Sequence, residues 1–224
     1  MSRHEPLALL FDLDGTLADS IALLLASFHH TFDAHGKPAP PDDAWIAGIG
    51  TPLITQMRHF VPNENEAQRM ILTYREYQRT HHDEMLREFE GVGDTLALLK
   101  ARGHPTALVT SKSNDLAHRA LTWLDLTSHI DVVVGMDSTE RHKPDPEPVR
   151  HALAVLGSTP SNALFLGDSP HDIEAGNAAG VTSVAALWGP FSRRVLEQAS
   201  PAYLLEHIRE LPALIGQLDA ARRS

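Results

Sequence analysis

Two aspartates separated by one residue, Asp12-Leu-Asp14, directly follow the apolar run Leu7-Ala-Leu-Leu-Phe11 and precede Gly15 and Thr16. Acidic groups at the end of an apolar strand cost free energy unless they have a role there, and Gly15 permits the sharp turn that exposes both. One carboxylate can attack phosphorus to form an acyl phosphate that water later cleaves. The other can protonate the leaving oxygen and then activate that water. An isolated Asp-x-Asp-Gly reads equally well as a surface turn or a helix cap, so the rest of the chain decides. Gly167-Asp168-Ser-Pro-His-Asp172 repeats the arrangement after Ala163-Leu-Phe-Leu166. Magnesium takes hard oxygen ligands in an octahedron and keeps several waters. Asp12, Asp168 and the main-chain carbonyl of Asp14 would suffice for it, with Asp172 holding a metal-bound water; alternatively, either aspartate of the second motif caps the helix beginning near Pro170. Lys143, in Arg141-His-Lys-Pro-Asp-Pro-Glu-Pro148, is either solvated or supplies an ammonium between nucleophile and transferring phosphoryl group. Thr110 ends the run Ala107-Leu-Val109 with a hydroxyl, and the neighbouring backbone at Ser111 can hold phosphate oxygens.

These residues need a scaffold that gathers strand ends. The run Leu7–Phe11 reads as a buried parallel strand. From Asp19 to about Ala34, Ile21, Leu24, Leu25, Phe28 and Phe32 recur at helical spacing, with Asp19 or Ser20 as cap. Helical patterns continue over Asp42–Ala47, Leu53–Phe60 and Glu64–Phe89 with no strand between them, which predicts an all-helical insertion. Beyond Gly91 the pattern alternates: helix Gly93–Ala101, strand Thr106–Val109, helix Asn114–Leu124, strand Val132–Val134, helix Pro146–Leu156, strand Ala163–Leu166, helix Asp172–Ala179 and strand Val181–Ala185. Such alternation predicts an α/β fold, a Rossmann-like doubly wound parallel sheet with chemistry at the carboxyl ends of its strands. Asp12, Thr110, Lys143 and Asp168 each lie at or near such an end.

The chain has 224 residues, 42% of them hydrophobic, and a formal net charge of −10, enough for a sizeable core with no basic arm for nucleic acid. An acidic protein handling phosphate must meet its substrate's charge locally, with a metal and a few cations. The absence of cysteine excludes disulfides and thiol chemistry. Met1-Ser-Arg-His-Glu-Pro6 lacks a signal-like apolar core, and no apolar stretch approaches the roughly 20 residues of a membrane helix, so a cytoplasmic location is expected. A monomer and a homodimer are both compatible with the sequence.

With these motifs in this order, the chain resembles the haloacid dehalogenase (HAD) superfamily, whose phosphatases carry Asp-x-Asp-Gly-Thr, a strand-ending Thr or Ser, a Lys and Gly-Asp-x-x-x-Asp. The resemblance spans nearly all residues. It implies Asp12 as nucleophile, Asp14 as acid/base, Thr110 and Lys143 as phosphate contacts, and Asp168 as a Mg2+ ligand. It also implies a helical cap at residues 17–88 on a core of 1–16 and 89–224, closing over the crevice to select substrate. Within the superfamily, the acidic Asp14 argues against a dehalogenase. Leu23-Leu24-Leu25, where the sugar phosphomutases place a histidine, argues against a mutase. Lys37 is the only lysine of the expected cap and sits in a proline-rich loop, which disfavours a phosphonatase Schiff base. Ser27-Phe-His-His-Thr31, Gly48-Ile-Gly-Thr-Pro-Leu53, Tyr74-Arg75 and His81-His82-Asp83 are most similar to bacterial HAD-type inorganic pyrophosphatases and the neighbouring phosphoglycolate phosphatases. The resemblance thus implies a small phosphorylated substrate, pyrophosphate first and phosphoglycolate or another phosphomonoester as alternative. Gly48, Gly50 and Thr51 would let cap backbone approach the anion, and Arg58, Arg75, His81 or His82 would neutralise a second phosphate. A different class, a non-turnover phosphate-metabolite sensor or assembly partner, would use Leu23–Leu25 or Trp188 as a contact surface.

Overall fold

The computed structural model describes residues 5–222; the terminal hexapeptide's first four residues and the last two of the expected core segment lie outside the described residues. In chain order the elements are β1 (Ala8–Phe11), β2 (Ala18–Asp19), α1 (Ile21–Ala34), α2 (Asp42–Ile46), α3 (Leu53–Phe60), α4 (Glu64–Met85) and β3 (Arg87–Glu88). They continue with α5 (Val92–Ala101), β4 (Thr106–Val109), α6 (Asn114–Trp123), β5 (Val132–Val134), α7 (Glu147–Leu156), β6 (Ala163–Gly167) and α8 (Pro170–Ala179). Last come β7 (Thr182–Ala186), α9 (Arg193–Gln198), β8 (Tyr203–Leu205) and α10 (Leu211–Ala221).

β1 is apolar without alternation because both its faces are covered. Leu9 and Phe11 point into one cluster with α5, α6 and α10, while Ala8 and Leu10 point into another with α7 and α8. The six-stranded sheet has the order β5-β4-β1-β6-β7-β8, and every neighbouring pair is parallel. The chain leaves β1 for β4 and β5 on one side, then crosses to β6 on the other. The carboxyl end of β1, where Asp12 lies, is therefore the topological switch point, the place where such sheets open a ligand crevice.

Between β2 and β3 the described residues form four helices. Their apolar faces meet in one cluster around the fully buried Trp45, whose ring stacks on Phe28 with centroids 4.5 Å apart. The cluster runs on into Ile173, Ala185, Phe191 and Leu196, so the helices share a continuous apolar contact with the sheet layer.

Several expectations need correction. Helix α4 ends at Met85 rather than Phe89, because Leu86 turns extended and the chain enters β3. β3 pairs antiparallel with β2 in a two-residue ribbon that joins both ends of the helical segment. Ser20 occupies the N-cap position of α1 without a side-chain cap bond; its hydroxyl goes elsewhere. α8 starts at Pro170, two residues before the expected Asp172, because Ser169 caps it. Trp188 is half-buried and donates to Thr16 O at 2.9 Å, and Leu23 and Leu24 are buried, so neither forms the exposed contact surface of the sensor alternative. No described helix is long and apolar enough to cross a membrane.

Candidate active site

The switch point gathers three buried carboxylates and one buried ammonium. Asp12, held by a main-chain bond from its N–H to Leu166 O, accepts from Lys143 Nζ at 2.8 Å. The same ammonium donates to Asp172 Oδ1 at 2.6 Å and to Val109 O at 3.1 Å, so its three protons have three partners. Asp172 Oδ2 accepts from the N–H and hydroxyl of Ser169 in a reciprocal capping box at the start of α8. Asp168 Oδ1 accepts from Thr16 Oγ1 at 2.6 Å, whereas its Oδ2 is buried with no hydrogen-bond partner.

Charge is unbalanced here. Burial first, then repulsion from Asp172 and Asp14 against the pull of Lys143, pushes the Asp12 carboxyl up to about 7. Burial and the nearby Asp12 and Asp172 likewise push Asp168 well above the usual carboxylate range. Lys143 moves the opposite way to its burial: desolvation favours the neutral amine, but Asp12 and Asp172 outweigh it and raise the ammonium. Ligand oxygens of Asp12, Asp168 and Asp172 lie within 4.8 Å of one another. A hard divalent cation would supply the missing positive charge, and the orphaned Asp168 Oδ2 is a position for it. Both Asp172 oxygens are already engaged, so its clearest task in the structure is to orient Lys143 and cap α8.

Asp14 stands across the turn. Gly15 adopts φ +83°, and a Cβ there would come within 2.4 Å of Asp168 Oδ2, so only glycine lets the two acidic motifs approach. The Asp14 carboxylate accepts from Ser20 Oγ and from Lys112 Nζ, both at 2.6 Å. Asp12, Asp14, Thr110, Ser111 and Lys112 form the sheet-side wall of one cleft. Gly50 and Thr51 with Tyr74, Arg75 and Gln78 of α4 form the opposite wall. Thr110 is buried at the end of β4, its hydroxyl accepting from the Lys112 N–H. Ser111 Oγ donates to Gly50 O at 2.5 Å, so this hydroxyl joins the two walls.

Not every expected residue reaches the cleft. Gly48 lies behind the wall, its carbonyl accepting from the hydroxyl and N–H of Thr51. Arg58 is also away from it: its exposed guanidinium holds Glu64 through two bonds of 2.7 and 2.8 Å, because α3 turns this face toward the start of α4. His81 faces Glu84, and buried His82 faces Asp83. Lys112 and Gln78 escaped the sequence reading, which gives Thr16, Ser20 and Ser169 none of the contacts they make here. Lys112, two residues past Thr110, and the Ser-x-x-Asp spacing of Ser169 and Asp172 were visible signals.

Residues 9–186 match the family model described as haloacid dehalogenase-like hydrolase. The chain belongs to that family. Among curated HAD-like relatives, it is 36% identical over 216 residues to pyrophosphatase PpaX of Bacillus velezensis, covering 96% of this chain and 99% of that one. It is 34% identical over 210 residues to pyrophosphatase PpaX of Bacillus cereus, covering 94% and 96%. Among solved HAD-like folds it resembles a predicted phosphoglycolate phosphatase from Haemophilus somnus with a TM-score of 0.87 and 24% identity, over 94% of this chain and 98% of that one. That likeness speaks for the parallel-sheet fold.

Proposed function

We propose that this HAD-like hydrolase is a Mg2+-dependent phosphatase working through an aspartyl-phosphate on Asp12, with pyrophosphate as its substrate. The observation that carries the reading is the pairing of Asp12, locked by Lys143, with Asp14, which opens onto the same cleft from the same turn. An Asp12 carboxylate oxygen bonds to phosphorus while the bond to the leaving oxygen breaks, and Asp14 gives that oxygen its proton. Asp14, now a carboxylate, takes a proton from a water that attacks the same phosphorus, which frees Asp12 and inorganic phosphate and restores the acid. Lys143 offsets charge on the transferring group, and Thr110 with the Ser111 backbone holds its oxygens. Asp12, Asp168 and the Asp14 carbonyl would hold the cation, which draws negative charge from the phosphoryl oxygens when bound.

In this reading residues 17–88 are the cap and 1–16 with 89–224 the core. The shared cluster around Trp45 and the bond from Ser111 to Gly50 support it. Pyrophosphate is favoured by the PpaX relatives; phosphoglycolate or another small monoester is the alternative. The test is Mg2+-dependent phosphate release from pyrophosphate, phosphoglycolate and p-nitrophenyl phosphate, against Asp12→Asn as control. Turnover no faster than the control with any of them would reject the hydrolytic reading, and phosphate trapped on another residue would reject the role of Asp12.

A further inference from the structure

We infer that Arg75, with Gln78 on the same face of α4 and Lys112 across the cleft, receives a negatively charged leaving group and sets a preference for phosphates whose displaced half is an anion. The inference rests on the phosphatase reading above and specifies the substrate class.

Residues three apart on a helix share a face, and both Arg75 and Gln78 line the cleft that holds Asp12 and Asp14. Their neighbour Tyr74 is buried and already donates to Leu24 O. Three neighbouring arginines are committed elsewhere, Arg58 to Glu64, Arg79 to Glu76 and Arg119 to Asp83, and Arg69, also on α4, does not line the cleft. The exposed Arg75 side chain makes no hydrogen bond or ion pair to the described residues. Gln78 is only 7% exposed, and its amide makes no hydrogen bond to the described residues. Its amide is not among the buried polar atoms that lack a partner, so it keeps access to solvent, and the cleft it lines is open to it.

Lys112 completes the arrangement. Its ammonium lies on Asp14 Oδ2 at 2.6 Å, and Asp14 is the group that hands a proton to the departing oxygen. The leaving group thus departs beside Lys112. From pyrophosphate the displaced half is phosphate, and from phosphoglycolate it is glycolate. Either anion would be repelled by the carboxylates around it, and two cations offset that repulsion locally. The chain's net charge of −10 offers no attraction from afar. A neutral alcohol draws no such benefit.

The experiment compares pyrophosphate, phosphoglycolate and 2-hydroxyethyl phosphate, the last two differing only by carboxylate against hydroxymethyl. Arg75→Ala is expected to lower kcat/KM by about 10- to 100-fold for the first two and to leave hydroxyethyl phosphate little changed, with Arg75→Lys recovering part of the loss. Calorimetry with Mg2+ and imidodiphosphate should show weaker binding by Arg75→Ala, while the melting temperature stays near that of the parent. An equal loss on all three substrates, or no loss, would overturn the inference and leave the phosphatase standing. If the parent protein turns over nothing, the phosphatase reading falls and calorimetry decides alone: Arg75-dependent imidodiphosphate binding sustains the anion receptor, and equal binding by both proteins removes it.

Discussion

A buried carboxylate oxygen without a partner raises the free energy of the folded chain, and Asp168 Oδ2 is such an atom. If it awaits a cation, Mg2+ at about a hundred times its dissociation constant should stabilise the protein by about 2.7 kcal/mol, or roughly 5–10 °C for a chain of this size. Asp168→Asn should abolish most of that shift while raising the melting temperature of the metal-free protein. Differential scanning calorimetry with and without Mg2+ checks both halves, and an undiminished shift in the variant would exclude Asp168 as a ligand. Lys143 has the opposite character, a buried cation with every donor used. Lys143→Ala leaves Asp12 and Asp172 facing each other without it, and urea titration at neutral pH should register a loss of about 3–5 kcal/mol. The acidic motifs were legible in the sequence because charged residues beside apolar runs are conspicuous, and Lys143 because it stands in a proline-rich segment, Arg141 to Pro148, with no packing task evident there. Arg75 could not be separated from Arg58 in this way. Both lie in helical patterns, and only the packing of α3 and α4 determines which one faces Glu64 and which one the cleft.

Among the elements, α8 depends on its first turn. Ser169 and Asp172 cap it reciprocally, so Ser169→Ala should cost about 0.5–2 kcal/mol from the lost cap, read from the denaturant midpoint. It should also lower activity, since Asp172 loses the bonds that aim it at Lys143. The last turn of α4 carries a different liability. Burial pulls the proton affinity of His82 down against the contrary pull of Asp83, with Arg119 and Lys112 adding to the depression. The folded state therefore binds fewer protons than the unfolded chain as pH falls through the ordinary histidine value of about 6.5. Stability present above that pH should decline below it, and His82→Gln should flatten the decline between pH 7.5 and 5.5 in urea melts. Strands β1, β4, β5 and β6 were readable because strands covered on both faces become uninterrupted apolar runs. The β2–β3 ribbon, two residues on each side, is too short for any period to show. β8 and α10, beyond the last expected strand at Ala185, depend on pairing with β7 and packing against the sheet.

At the scale of the whole molecule, the helical segment and the sheet meet at Gly50. Its φ of +98° and the 2.7 Å from an added Cβ to Ser169 Oγ make Gly50→Ala both strained and crowded. The substitution should cost about 1–3 kcal/mol and reduce kcat more than it reduces stability would suggest, because the bond from Ser111 to Gly50 O spans the two cleft walls. Steady-state kinetics beside thermal melting separates the two effects; a normal kcat in a destabilised variant would show that this junction serves folding alone.

The tripod beneath Lys143 fastens the tips of β1 and β4 to the first turn of α8 with one nitrogen. One atom therefore joins two strand tips and a helix start, the same place where the proposed reaction occurs. Under the mechanism proposed above, replacing the Asp12, Lys143 and Asp172 trio with well-fitted apolar side chains should give a sturdier but inert protein, since such trades are often neutral or stabilising. In that mechanism the toughness is forgone because attack, charge relief and alignment all require polar side chains at this junction.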